Sequence, residues 1–186
     1  KLIKEVVDIP IMCVGRINTP RLAEFVIATG EADMVSMGRA LNADPEMPNK
    51  AAEGRLDDIR PCVGCNEGCI ASVMKGIPAR CIINTQAGRE TEDFTTPAEQ
   101  PKRIFVAGGG PAGLEAARLA AVRGHEVTLF ESRDKLGGQV NLASVAPYKQ
   151  ETSQVIRYLA RAVEKAGVTV ELGNKLTPGL VAELKP

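Results

Sequence analysis

Four of the chain's five cysteines fall between positions 62 and 81, in the stretch Pro61-Cys62-Val63-Gly64-Cys65-Asn66-Glu67-Gly68-Cys69 that is answered, after eleven more residues, by Cys81. No other feature constrains the fold as tightly. Gaps of two, three and eleven residues put three thiols on one tight loop and let the fourth close the set from a short returning segment. That geometry suits a 4Fe-4S cluster held by four thiolates. Gly64 and Gly68 let the backbone bend closely around the sulfurs and leave amide N–H groups free to point at a negatively charged centre. Two plainer arrangements stand beside it, a structural Cys₄ zinc site and a pair of disulfides. Zinc usually takes its thiolates from two separated C-x₂-C knuckles, and only one is present, so the spacing favours iron and sulfide. Disulfides would need an oxidising compartment, which nothing else in the sequence indicates. Cys62, Cys65, Cys69 and Cys81 are therefore the candidate metal ligands. Cys13 lies in an apolar strand and is read as core.

A length of 186 residues accommodates one or two domains. With 23 basic and 23 acidic side chains there is no electrostatic case for a nucleic-acid or membrane partner. The absence of Trp, with only four Phe and two Tyr, removes the stacking surfaces that single-strand binding uses. No apolar run approaches a membrane span, so a cytoplasmic protein is the expectation. The chain opens at Lys1 in a helical pattern without an initiator Met and stops at Pro186 where a further strand is expected. It therefore reads as a piece of a longer polypeptide.

Residues 2–7 look like the end of a helix, and 9–14 form a continuous apolar run of the kind a doubly covered parallel strand shows. This run ends in Gly15-Arg16. Thr19 is placed to cap a helix that starts at Pro20, carries Leu22, Phe25, Val26 and Ala28 on one stripe, and stops at Gly30. A second strand over 32–37 also ends in Gly-Arg, at Gly38-Arg39, and a short helical stretch follows from Ala40. Two strand and helix units, each with glycine then arginine at the strand's carboxyl end, resemble the last units of a β/α barrel, where phosphate commonly binds. Glycine lets a phosphate approach the amides, and guanidinium supplies paired donors. After a helical patch over 49–54 the chain reaches the cysteine loop. Residues 85–101 are polar, contain Gly88, Pro97 and Pro101, lack an apolar period, and read as a linker.

A second architecture starts at Lys102. A buried strand over 103–107 leads into Gly108-Gly109-Gly110-Pro111-Ala112-Gly113, then an alanine-rich helix over 114–123 closed by Gly124, then a strand over 126–130 with Glu131 at its tip. This is the dinucleotide fingerprint in context: Gly108 for the tight turn, Gly110 for close approach of a pyrophosphate, and Gly113 for helix-on-strand packing. Glu131, eighteen residues past Gly113, can accept hydrogen bonds from an adenosine ribose and repels a 2′-phosphate, so the site suits FAD or NAD rather than NADP. Leu136-Gly137-Gly138-Gln139 forms a second flexible turn, read equally as a ligand contact or a simple loop. A helix over 152–165, with Val155, Ile156, Leu159 and Val163 on its apolar face, and a strand over 168–172 complete the pattern. His125 is read as a solvated helix-end residue.

Together the barrel-end Gly-Arg pairs, the C-x₂-C-x₃-C-x₁₁-C loop, the linker, and Gly-Gly-Gly-Pro-Ala-Gly followed by Leu-Gly-Gly-Gln make the chain resemble the iron-sulfur flavoenzymes of the NADH:flavin oxidoreductase, or old yellow enzyme, family. Branches of that family include the 2,4-dienoyl-CoA reductase, 2-enoate reductase and trimethylamine dehydrogenase types. The resemblance implies an α/β fold in four parts: the C-terminal end of an FMN-binding (β/α)₈ TIM barrel over 1–60, an iron-sulfur segment over 61–84, a linker over 85–101, and an incomplete Rossmann-like FAD/NAD(P)-binding domain over 102–186. It further implies that Arg16, Gly38 and Arg39 hold the FMN phosphate and that the four cysteines ligate a 4Fe-4S cluster. Around FAD it implies that Ala112 offers its backbone, Glu131 the ribose contact and Gln139 a contact near the pyrophosphate, with Lys149 and Leu176 as further contacts. The implied activity passes electrons from NAD(P)H through FAD and the cluster to FMN, which reduces an activated C=C bond in an unsaturated acid, thioester or enone. An amine dehydrogenase of the trimethylamine dehydrogenase type, with ADP in the second site, is the alternative within the family. A zinc-stabilised nucleotide-binding module without redox chemistry is the alternative outside it. The chain contains no residue that can be named as the proton donor.

Overall fold

The computed structural model describes residues 2–186, which divide into two compact units, Lys1–Thr91 and Glu92–Pro186. In the first unit, strands β1 (Met12–Val14) and β2 (Met34–Ser36) pair in parallel with Met12 opposite Met34. Parallel strands need a crossover, and α1 (Pro20–Ala28) supplies it. The helix begins as its sequence predicts. The Thr19 hydroxyl accepts the Leu22 N–H at 3.2 Å, Pro20 occupies the first turn, and Val26 turns into the core. Both strands are shorter than their apolar runs, because the ladder extends over only three residue pairs. Residues 2–6 form turns rather than the expected helix end; a single Val6 N–H to Ile3 carbonyl bond does not offset the cost of nucleating a helical segment. The expectation for Lys1 lies outside the described residues.

Helices α2 (Gly38–Ala43) and α3 (Met47–Ala52) follow β2, and α4 (Ile70–Met74) starts directly after Cys69. Asp44 organises the connection. It is 3% exposed, and its carboxylate accepts from Lys50 Nζ at 2.6 Å, the Arg60 N–H at 2.7 Å and the Glu46 N–H at 3.1 Å. A buried carboxylate with three donors is satisfied rather than destabilising. It fixes the backbone immediately before Cys62.

In the second unit, β3 (Arg103–Ala107), β4 (Glu126–Glu131) and β5 (Thr169–Leu172) form a parallel sheet in the order β3-β4-β5. Helices α5 (Pro111–Val122) and α7 (Ser153–Lys165) pack on it through Leu114, Ala117, Ile156, Leu159 and Val163 against Val127 and Leu129. Two short helices, α6 (Val140–Ala143) and α8 (Pro178–Leu184), complete the unit. His125 does not simply face solvent: its Nδ1 accepts the Lys102 N–H at 3.0 Å and ties the two strand entries together. No helix among the described residues is long and apolar enough to cross a membrane.

Candidate functional site

The carboxyl ends of β1 and β2 open into a cavity of ≈ 630 Å³ whose walls include Gly15, Arg16, Gly38 and Arg39. The two Gly-Arg pairs that look alike in sequence have different backbones. Gly15 and Arg16 both lie at positive φ, +128° and +53°, whereas Gly38 and Arg39 begin α2. A left-handed arginine is uncommon and costs energy, and such residues concentrate where a side chain must be aimed. Here the Arg16 guanidinium is aimed at Gly64, with Nε 3.5 Å from where a Cβ on that glycine would stand. No carboxylate lines the cavity, and a Cβ at Gly15 or Gly38 would meet nothing within 4 Å. Two guanidinium groups, open backbone and no acid fit a phosphate.

All four loop cysteines line a second, smaller cavity. Gly64 takes φ +64°, and its N–H lies where it favours the Cys62 thiolate. Burial pushes the Cys62 thiol up, and that N–H and the Arg39 charge oppose the shift. Asn18 Nδ2 donates to the Cys62 carbonyl at 3.1 Å, which ties the loop after β1 to the first cysteine. The returning segment is held just as closely. The Arg80 N–H donates to the Gly68 carbonyl at 2.6 Å, and a Cβ on Gly68 would lie 2.8 Å from the Arg80 carbonyl oxygen. Gly88, at φ +77°, also lies so close to this segment that its Cβ would stand 2.5 Å from the Ala79 carbonyl oxygen. Asn84, 4% exposed, donates to the Asn42 carbonyl at 2.9 Å. Residues 85–91 are thus not free linker, and Ala87 is 3% exposed. Asp44, Asn84 and Gly88 were not singled out as site residues on sequence, although a buried Asn and Asp beside a glycine-bearing turn are the local signal.

Among the described residues, no three His, Cys, Asp or Glu side chains are gathered as a single ion would need. Zinc thiolates stand about 2.3 Å from the ion and so about 3.8 Å from one another. Four thiols lining one cavity are the donor set that a multi-iron body takes. Arg39 and Cys62 line both cavities.

In the second unit the fingerprint glycines divide their work as the motif predicts. Gly108 sits at φ +100°, and a Cβ on Gly113 would fall 1.9 Å from the Gly108 carbonyl oxygen. Gly110 caps α5 with no side-chain bond and with open space around its Cα, and no acid occupies the first turn of the helix. These free N–H groups at the positive end of a twelve-residue helix fit a pyrophosphate. Ala112 lies exposed in that first turn. The second turn docks onto the first: the Gly137 N–H donates to the Gly109 carbonyl at 2.8 Å, and a Cβ on Gly138 would meet the Gly110 Cα at 3.3 Å. Gln139 is exposed at the head of α6, Lys149 is exposed before α7, and Leu176 is half-buried ahead of α8.

Glu131 is 6% exposed and braces the fingerprint loop, accepting from the Gly109 N–H at 2.7 Å, the Arg133 N–H at 2.9 Å and Ser132 Oγ at 3.3 Å. A carboxylate offers about four acceptor positions, so roughly one remains for a ligand hydroxyl. The Arg133 and Gly109 amides hold its pKa below the ordinary value of 4.5. A depressed folded-state pKa adds stability that is present above 4.5 and is lost as pH falls through the folded value. The Glu131→Gln variant is expected to lose about 1–3 kcal/mol at neutral pH, the range for hydrogen bonds to a charged acceptor. Its denaturant midpoint should also change less than that of the wild type between pH 6 and roughly pH 3. Parallel pH profiles for the two proteins would show that the carboxylate is not the brace described.

Residues 1–58 match the family described as NADH:flavin oxidoreductase / NADH oxidase, and residues 106–172 match an NAD(P)-binding Rossmann-like domain. The chain is 47% identical over 176 residues to a metal reductase of Desulforamulus reducens, covering 95% of this chain and 26% of that protein. It is 45% identical over 188 residues to an NADH oxidase of Thermoanaerobacter brockii, covering 99% and 29%. It is 40% identical over 172 residues to a cinnamate reductase of Clostridium sporogenes, covering 92% and 26%. Among solved structures it is similar to 2-naphthoyl-CoA reductase in complex with 2-naphthoyl-CoA, with TM-score 0.91, 37% identity, and coverage of 97% of this chain and 28% of that one. It is also similar to histamine dehydrogenase from Rhizobium sp. 4-9, with TM-score 0.88, 32% identity, and coverage of 96% and 27%. The chain therefore spans somewhat more than a quarter of the length of these relatives.

Proposed function

Because the chain belongs to the NADH:flavin oxidoreductase family, of old yellow enzyme type, we propose that it is part of an NAD(P)H-dependent flavin oxidoreductase that reduces an activated C=C bond. Its substrate would be a small unsaturated acid, thioester or enone. The observation that carries this reading is the wall that Arg39 and Cys62 contribute to both a phosphate-suited cavity and a four-cysteine cavity. Arg16, Gly38 and Arg39 would bind the FMN phosphate, and Cys62, Cys65, Cys69 and Cys81 would hold a 4Fe-4S cluster. In the second unit Gly108, Gly110, Gly113 and Ala112 would present backbone to the FAD pyrophosphate. Glu131 would accept a ribose hydroxyl with its remaining lone pair, and Gln139, Lys149 and Leu176 would line the rest of that site. When bound, the cluster supplies one-electron transfer and the flavins hydride transfer, so that two flavins in separate sites can exchange electrons. The chain's own contribution would be to position: the Gly64 amide favours the Cys62 thiolate, and Arg16 and Arg39 would orient a dianion.

Oxidation of an amine is the second reading, supported by the likeness to histamine dehydrogenase. It ranks below reduction because a metal reductase and a bilirubin reductase are 47% and 42% identical, against 41% for a probable N-methylproline demethylase and 38% for an N,N-dimethylglycine/sarcosine dehydrogenase. Full-length protein purified anaerobically is expected to contain iron and acid-labile sulfide with a broad brown absorbance. Cys65→Ala should lose the iron and stop electron flow between the flavins. Zinc alone, or a Cys65→Ala protein with undiminished flow, overturns the assignment.

A further inference from the structure

Arg39 has two neighbours that pull in different directions. Its guanidinium reaches across from α2 to donate to Asn66 Oδ1, inside the cysteine loop and one residue past Cys65. It also lines the cavity at the ends of β1 and β2, which Asn66 does not. Asn66 holds φ +62°, a conformation that Asn tolerates better than most residues, and its side-chain oxygen accepts from Arg39. No carboxylate among the described residues forms an ion pair with Arg39. Its positive charge is therefore not cancelled locally, and Asn66 fixes it against the loop that carries the thiolates. The second cavity, which Arg39 walls, contains all four cysteines.

We propose that the Arg39–Asn66 pair is a positioning device that sets the reduction equilibrium of the cysteine-bound centre, separately from the part Arg39 takes in binding phosphate. This rests on the reading above that the cysteines hold an iron-sulfur cluster. Adding an electron makes such a centre more negative, and a fixed positive charge favours that state. Because guanidinium has five N–H donors in a rigid fork, one can stay on Asn66 while others face a phosphate.

The test is a redox titration of the iron-sulfur centre followed by electron paramagnetic resonance, with iron and FMN content measured on the same full-length samples. Asn66→Gly removes the acceptor while glycine accepts the positive φ without strain. It should lower the reduction equilibrium constant about tenfold, a midpoint about 59 mV more negative for one electron, while FMN and iron content stay at wild-type levels. Arg39→Gln should shift the midpoint at least as far and also lose FMN. Arg39→Lys, which keeps the charge but not the fork, should fall between wild type and Arg39→Gln. Normal iron with a midpoint unmoved in both Asn66→Gly and Arg39→Gln overturns this proposal alone. A wild type without iron overturns the cluster reading and this proposal with it. Should Asn66→Gly lose its iron, the Arg39 variants decide: an unmoved midpoint in Arg39→Gln overturns the proposal and a shifted one supports it.

Discussion

Replacing Gly113 with alanine is expected to destabilise the second unit by at least about 2 kcal/mol and to abolish retention of the FAD proposed for it. The added Cβ would stand 1.9 Å from the Gly108 carbonyl oxygen and 3.1 Å from its carbon. Both atoms are backbone, so no rotamer change relieves the overlap. Either α5 lifts from β3 or the turn at Gly108 opens, and each uncovers Leu114, which is fully buried in the core. Alanine gains roughly 1 kcal/mol of helix propensity over glycine, which is too little to offset the clash. Gly110→Ala supplies the contrast three residues earlier. There the backbone is extended at φ −76° and ψ 177°, and a Cβ meets nothing within 4 Å. Stability should change by only about 0.5 kcal/mol, near the cost of placing alanine at an N-cap. FAD retention should still fall about tenfold or more, because the methyl group occupies the space through which a pyrophosphate reaches the amides. Denaturant unfolding and flavin content of the two variants check both halves. A Gly113→Ala protein as stable as wild type would show that helix and strand are not packed as described.

The sequence exposes this second unit well because its signals are local. Strand β3 occupies its predicted residues, and Gly124 and Gly167 follow the helices they were expected to end. Helix α5 starts at Pro111 rather than Leu114, since proline is pre-organised for a first turn and Gly113 is tolerated inside the helix for its packing. Glu131 was legible as an acid at a strand tip. Its bond to the Gly109 N–H was not, because it joins residues 22 positions apart.

The first unit was less legible for the same reason. Thr19, Pro20 and the apolar stripe of α1 could be read within one turn of the helix. By contrast, Asp44 meets Arg60 across 16 positions, Asn84 meets Asn42 across 42, and Arg39 meets Asn66 across 27. Spacing shows which cysteines can converge, but not which carbonyls and carboxylates hold the converging backbone. That support comes from residues that look like ordinary turn formers.

The clamp on the fourth cysteine should produce the other large effect. Gly68→Ala places a Cβ 2.8 Å from the Arg80 carbonyl oxygen, 3.0 Å from its carbon and 3.1 Å from the Cys81 Cα. The returning segment must then shift, and Gly88 crowds it as well, standing against the Ala79 carbonyl with no room for a side chain of its own. Displacement therefore passes into Cys81, the proposed ligand that arrives alone on this segment. A metal centre responds steeply to misplaced support around its ligands, commonly by 10- to 100-fold in affinity. Purified Gly68→Ala is accordingly expected to retain about a tenth of the wild-type iron or less. Gly88→Ala should lose iron too, since its own Cβ would drive into the same segment and φ +77° adds backbone strain. Cys81→Ala sets the scale, because it removes the ligand outright. If Gly68→Ala and Gly88→Ala both keep wild-type iron while Cys81→Ala loses it, the returning segment has freedom that the close glycine contacts deny it.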